Sequence, residues 1–525
     1  MRIPALILLS LIMVMIVCSG SLLAQENFEE LLNKSRKEFE SLKKEADDNF
    51  NTLKKSMDDE FADVLNKAWK ELEVSTGRKF DEEPKPDTVP VARPEPVPPE
   101  KPKEEPPKVV PEKAPEKVPE KSPETKKPEP EEPKKTVEEK KPPITKKPEP
   151  KPSPPVPVSG DQVSFIFYDT PLAVPCDKRM KVSTGNTVNE KSIGAYWAAM
   201  SKTNFMPCLK RIIGIKQELQ LNDWGYCMLL DALGQAVYGR STNQRNMFAW
   251  FMLVQSGFDA RIGHSDNRVY LLLPALHKLY GLPFYDMGGA TYYITSLGST
   301  PPSVKSMYTY EGKHKGATRK VDMNVYTAPG ITKKITRKNY DFSYYDKDYS
   351  IPLSVNTNMV DFYEYYPQTN LDVYFDASIS QESRRTLLEG LRPVVSGKNE
   401  IEAVNLLLRF VQKGFDYKTD DEQFQREKHF FIEETIFYPF CDCEDRSFLF
   451  AFLVRNLVGL DVIGLHYPGH VATAVKFSTA VRGDPVTYKN ERYVVCDPTY
   501  INANYGECMP KFKTVTPEIV QIETK

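Results

Sequence analysis

Apolar residues near the N-terminus recur at a fixed interval. Phe28, Phe39, Phe50, Phe61 and Leu72 lie eleven residues apart. Leu31, Leu42, Leu53 and Val64 follow the first four by three residues, and Ser35, Ala46, Met57 and Ala68 lie four further on. This 3-4-4 spacing places all three sets on one helix face, with Lys, Glu and Asp elsewhere. A period of about 3.67 residues per turn favours a straight or slightly right-handed supercoil. The pattern predicts an amphipathic helix over residues 26–80 that self-associates as a coiled coil. A helix lying on a membrane is the alternative, and acidic residues throughout its polar face disfavour it.

From residue 82 to 158 the periodicity stops. Pro, Lys, Glu and Val dominate, and most of the 43 prolines of the 525-residue chain fall here. Proline at such density forbids helix and sheet and favours polyproline II. At about 3.1 Å per residue the stretch could reach on the order of 240 Å. It reads as a disordered tether, similar in composition to the spacers of bacterial envelope proteins.

Ahead of the helix, Arg2 precedes an apolar run from Ile3 to Val17, then Ser19, Gly20 and Ser21. This is the pattern of an export signal over residues 1–24, with cleavage after Ala24. An uncleaved anchor over residues 3–24 and lipidation at Cys18 are the alternatives. All three place the remainder outside the cytoplasm, in the periplasm or cell envelope or secreted. A membrane is touched only through an uncleaved or lipidated N-terminus.

Two later passages echo one another. Residues 246–257 and 447–459 are apolar runs too long for a strand, each closed by a glycine, Gly257 or Gly459, suited to a helix cap. Short strands follow each: 260–263 and 269–273 in the first, 462–466 and 471–477 in the second. The echo suggests a duplicated unit, with domains at 160–345 and 346–525. Charge narrows the partners: 70 basic and 72 acidic residues leave a net charge of −2. Without a basic surplus, nucleic-acid binding driven by bulk charge is excluded. Seven cysteines remain after removal of the signal, so an oxidising compartment leaves at least one thiol unpaired.

The second passage carries candidate chemistry. Cys443 opens the apolar helix, where unpaired backbone N–H groups favour a thiolate, the nucleophile of covalent acyl chemistry. His470 follows the Tyr467-Pro-Gly469 turn and begins a strand. Asp497 stands at the exit of the next strand, placed to accept the second ring N–H of His470. The alternatives are an inert buried Cys443, and a metal site of Cys441, Cys496 and Cys508 with His470, which lacks any CxxC or HxH spacing.

At Cys443-Glu-Asp-Arg-Ser447, Gly469-His-Val-Ala472 and Cys496-Asp-Pro-Thr-Tyr500 the chain resembles the transglutaminase-like superfamily of papain-type cysteine enzymes. The resemblance covers roughly residues 394–505. It implies an α+β fold, with Cys443 as nucleophile, His470 as general base and acid, and Asp497 as orienting acid, and it calls for no metal or organic cofactor. Many relatives have Gly-Asp-Cys where this chain has Cys441-Asp-Cys443. The upstream passage reads as a degenerate copy, with Ser241 opposite Cys443 and Arg268 opposite His470. A Ser241–His264–Asp286 triad is conceivable there. The expected activity is thiol-dependent acyl transfer from amide or peptide bonds of a protein or peptide, hydrolytic first and crosslinking second. The rival is a non-catalytic binding or scaffold protein of the envelope.

Overall fold

The computed structural model describes residues 22–93 and 161–523, apart from 68, 82, 87, 186, 296 and 299–301, and the side chains of 22–33 are left out. The stretch expected to be an export signal falls almost wholly outside the described residues, as do residues 94–158 of the expected tether. Among the described residues no helix is long and apolar enough to cross a membrane.

The eleven-residue repeat forms a helix, Leu22–Leu65, but the helix stops fifteen residues short of the expected end. Leu72, in register with the repeat by spacing, lies instead in strand β1, Lys70–Glu73. There Leu72 and Val74 alternate toward a small apolar cluster with Tyr270 and Leu272, so the two-residue period of a strand overtakes the helical one. The helix's last turns dock on the body. Phe61 meets Trp197 edge-on at 4.7 Å and Tyr310 at 5.5 Å. Beside it, buried Asp58 accepts from Gln255 Nε2 at 2.6 Å. Farther out, Phe39, Leu42, Phe50 and Leu53 of the same stripe stay more than half exposed.

Two antiparallel sheets follow. The first contains β1, then β4 (Arg261–Ser265), β5 (Arg268–Pro274), β6 (Phe284–Met287), β7 (Ala290–Thr295) and β8 (Ser306–Thr309), in the order β1-β8-β4-β5-β7-β6. The hairpin of β2 (Gln162–Phe167) and β3 (Thr170–Pro175) precedes them. A long hairpin of β9 (Ile335–Tyr344) and β10 (Lys347–Asn356) stands between the sheets. β11 (Asp416–Tyr417) and β12 (Phe440–Cys441) pair in parallel just before the Cys443 helix. The second sheet holds β13 (Asp461–Tyr467), β14 (His470–Lys476), β15 (Pro485–Tyr488), β16 (Glu491–Cys496) and β17 (Glu518–Val520), in the order β15-β16-β14-β13-β17.

Reading each sheet from its helix onward, the topologies coincide. The last strand lies beside the first, then come the second, fourth and third: β8-β4-β5-β7-β6 against β17-β13-β14-β16-β15. A buried helix precedes each, Thr242–Gln255 and Cys443–Leu453. Gly257 and Gly459 follow with φ of +92° and +81°, the left-handed conformation the closing glycines were expected to adopt. The architecture is mixed α+β with a repeated helix-and-sheet unit.

The expected division at 345/346 falls inside a hairpin. Tyr345 is the turn of the β9–β10 hairpin, with φ +55°. The described residues within 22–93 and 161–523 belong to one compact unit. One continuous apolar core runs from Phe61 to Ile522, because the hairpin's buried face, Tyr340, Phe342, Ile351 and Leu353, belongs to that same core.

Phe61 is the hinge of the helix docking. Phe61→Ala removes a ring buried among Trp197, Trp250 and Tyr310, and is expected to cost about 3 kcal/mol in urea unfolding. Phe39→Ala, on an exposed stretch of the same stripe, is expected to change monomer stability by less than about 0.5 kcal/mol.

A buried Cys–His–Asp neighbourhood under an extended segment

Asp442 precedes the Cys443 helix, and its N–H donates to Asp445 Oδ2 at 3.3 Å, satisfying a donor at the helix start. Phe448, Leu449, Phe450 and Leu453 are buried in the core, and Phe452 is partly covered. Ser447 Oγ lies 2.8 Å from the Cys443 carbonyl and 3.0 Å from that of Val471, clamping the helix to β14. The turn into β14 needs Gly469, at φ +64°. Register pairs Tyr467 with His470, and Thr473 with Cys496, so Asp497 emerges beside the His470 end of the sheet.

His470 and Asp497 meet. His470 Nε2 is 2.9 Å from Asp497 Oδ2, and both are buried. The other carboxylate oxygen accepts from the N–H groups of Thr499 and Tyr500 at 2.9 and 3.1 Å. Gln412 Nε2 donates to the Asp497, Tyr500 and Ala503 carbonyls, holding the loop. Phe512 stacks on the imidazole at 5.1 Å and 5°. Sequence reading did not find Gln412 or Phe512. Both lie far along the chain from the motifs, and neither residue type signals such a role.

Cys443 reaches the same place. Its Sγ accepts from the Val471 N–H, the residue next to His470, at 3.4 Å. The thiol donates to Glu444 Oε2 at 3.1 Å rather than to the imidazole, whose Nδ1 is buried without a hydrogen-bond partner. The expectation of a lowered thiol pKa is reversed. Burial, then the Glu444 and Asp442 carboxylates, push the thiol well above its ordinary value. Glu444 and Arg446 are both buried. Arg446 donates to the Phe415 carbonyl at 2.7 Å and lies over the Tyr417 ring.

The largest departure from the sequence reading concerns residues 83–93. Assigned to the tether, they are instead docked against the body beside the site. Lys85 Nζ lies 2.8 Å from Asp442 Oδ2, 2.5 Å from Glu427 Oε1 and 3.6 Å from Asp420 Oδ2, and it also pairs with Glu444 Oε1. Glu444 therefore bridges the lysine and the thiol. Despite desolvation, these carboxylates hold the ammonium well above the usual lysine range. His429, 3.4 Å from Glu444, is driven well below the usual histidine range by burial and by Lys85.

Among the described residues two groups could hold a metal, Glu427–His429–Glu444 and Asp420–Asp442–Glu444. The cysteine set with His470 is not one of them, and the second group surrounds the Lys85 ammonium. The seven described cysteines are unbridged, although the Cys176 and Cys208 sulfurs lie 3.0 Å apart.

The upstream unit does not assemble a triad. His264 lies 3.6 Å from Glu190 and stacks on Tyr308. Asp286 sits on edge strand β6, two strands removed from β4, and accepts from Thr291. By topology β6 corresponds to β15 rather than β16, so Asp286 was matched to Asp497 on the wrong strand. Arg268 begins β5 as His470 begins β14, but it is exposed. No protein-family model, curated protein or solved structure matches this chain.

Glu433 lies in the short Ile432–Thr435 helix packed against the Cys443 helix. It accepts from the Ser380 N–H at 2.5 Å, and burial pushes its carboxyl from 4.5 up to about 7. Between these values the folded chain holds a proton that the unfolded chain has released. Its contribution is therefore full below about pH 4.5 and falls as pH rises toward 7. Glu433→Gln is expected to flatten this dependence, stabilising the protein above pH 7 by on the order of 3 kcal/mol while changing little at pH 4. Urea unfolding at the two pH values checks it.

Proposed function

We propose that this is an exported, thiol-dependent acyl-transfer enzyme acting on amide or peptide bonds, hydrolytic in its main reaction, with Cys443, His470 and Asp497 as its catalytic residues. The observation that carries the reading is the buried 2.9 Å His470–Asp497 bond, with Cys443 Sγ 3.4 Å from the neighbouring Val471 N–H. An imidazole whose Nε2 is held by a carboxylate has its Nδ1 free to exchange a proton.

In the proposed reaction the Cys443 thiol proton passes to His470 Nδ1, and the sulfur attacks the substrate carbonyl carbon. The developing oxyanion meets the backbone N–H at the helix start. The C–N bond breaks, His470 returns the proton to the leaving amine, and a thioester remains on Cys443. Water then attacks the thioester, His470 takes its proton, and the carboxylic acid leaves with the thiol restored. An amine in place of water gives crosslinking. The buried, protonated thiol is the resting state, and raising it to reactivity needs the imidazole.

A non-catalytic binding role is favoured by one observation: Cys443 is wholly buried and hydrogen-bonded to Glu444 instead of the imidazole. Self-association through the N-terminal helix is compatible with either role, since its outer stripe is uncovered.

Incubation of the full chain with reduced casein, with and without a labelled primary amine, separates the two. Cys443-dependent cleavage or amine incorporation is expected, lost in Cys443→Ala and reduced on the order of 100-fold in His470→Ala. Iodoacetamide modification of Cys443 is expected to slow at least tenfold in His470→Ala. No turnover above the Cys443→Ala background, or modification indifferent to His470, would leave only the binding role.

A further inference from the structure

After β1 the chain reaches across the first sheet and then over the candidate site. Ser75 pairs with Phe284 of β6, and Gly281 N–H donates to the Arg78 carbonyl at 2.9 Å. From there the contacts are those of a bound peptide. Asp81 Oδ2 accepts from the Gly469 N–H at 2.7 Å, one residue from His470. The Pro84 carbonyl presses on the same glycine so closely that a Cβ there would stand 2.9 Å from it. The Tyr417 hydroxyl donates to the Pro86 carbonyl at 2.9 Å. Beyond it, Ile501 N–H donates to the Pro90 carbonyl at 2.9 Å, and Ala92 N–H donates back to the Ile501 carbonyl at 2.8 Å. The segment's main chain is thus recognised by the loops that carry His470 and Asp497. A cavity of about 700 Å³ bounded by Phe80, Lys85, Tyr280, Tyr365 and Arg426 lies alongside, so one flank is not closely packed.

The Lys85 side chain enters an acidic pocket. Asp420, Asp442 and Glu444 are buried, Glu427 lies at the rim, and all four carboxylates converge on the ammonium. Such a group is stable only while a cation neutralises it. A compact ammonium on a flexible stem suits a narrow site reached past proline. The chain carries this element elsewhere too. Glu83-Pro84-Lys85-Pro86 recurs as Glu149-Pro150-Lys151-Pro152, and Glu-Pro-Lys recurs at 132–134.

We propose that the acidic pocket is a recognition site for a lysine side chain in an extended, proline-flanked peptide. Residues 83–86 fill it as a built-in ligand that closes the Cys443 site, and the competing ligand is the tether of a second copy of this chain. The proposal rests on the reading of this cleft as a peptide site, but its binding step needs no catalysis.

Fluorescence polarisation tests it, using a labelled synthetic peptide of residues 145–155 and the full-length chain. Lys85→Ala, which vacates the pocket, is expected to bind the peptide at least tenfold tighter than the wild type. A peptide with norleucine in place of Lys151 is expected to lose at least tenfold. The same variant is expected to expose Cys443 to iodoacetamide at least tenfold faster, with the peptide restoring protection. Equal binding by both proteins, indifference to the norleucine exchange, or unchanged Cys443 modification would overturn the proposal. So would calcium that raises the Tm of Lys85→Ala while the peptide fails to bind, because the acids would then form a metal site. If Lys85→Ala does not fold, Asp81→Ala with Tyr417→Phe removes the hydrogen bonds to the Gly469 N–H and the Pro86 carbonyl and keeps the ammonium. A severalfold rise in Cys443 modification is then expected, and no rise overturns the proposal. Peptide binding without Cys443-dependent turnover would sink the enzyme reading and leave this inference standing.

Discussion

One lysine among four carboxylates sets the conditions for everything near Cys443. Asp442 and Glu444 flank the cysteine in sequence, and both are buried at the start of its helix. A buried carboxylate without a partner costs several kcal/mol. The helix start is therefore tenable only because Lys85 arrives from far away in sequence to neutralise it. Even so, Asp442 is pushed upward by burial and by Glu444, and Asp420 by burial and by Asp442. The ammonium offsets part of the negative charge, and protons take up some of the rest. The docked segment is thus an electrostatic component of the fold as well as a cover.

The same charges decide the state of the thiol. A helix N-terminus stabilises a neighbouring anion by about 0.3–1 kcal/mol, rising to about 2 kcal/mol in partly buried geometry. Full burial can shift a group by up to about 3–5 pKa units, each about 1.4 kcal/mol. Desolvation wins here, and Glu444 and Asp442 add to it in the same direction. The resting thiol is a donor to Glu444. The helix dipole alone was the wrong guide because the first turn carries two acids of its own.

Much of this was legible locally. The Gly257 and Gly459 caps, the paired strands after each, and the Cys443, His470 and Asp497 positions follow from apolar runs, turn residues and strand exits. What was not legible depends on pairing across long sequence distances. The helix ends at Leu65 because Lys70–Glu73 pairs with Ser306–Thr309, far along the chain, in the register Lys70↔Thr309 to Glu73↔Ser306. Proline density correctly forbade helix and sheet in residues 83–93. It said nothing about docking, because an extended segment binds through its carbonyls and one side chain, which need no periodicity. Gln412 and Phe512 escaped for the same reason, each being recruited from an ordinary helix or turn.

The repeated sheet shows how separable scaffold and chemistry are. Both units place a buried helix on five strands in one order, and both end the helix on a left-handed glycine. Yet the first begins its second strand with exposed Arg268, and the second begins it with buried His470. The difference lies in what covers that end of the sheet. In the second unit the 77–93 segment, Phe512 and the Asp497 loop enclose the imidazole and exclude water. In the first, the strand end stays open, and an arginine there is solvated at no cost. Enclosure makes a histidine–carboxylate pair strong, because its hydrogen bond no longer competes with water. The fold supplies the positions twice, and burial by distant segments encloses a histidine–carboxylate pair in only one of them.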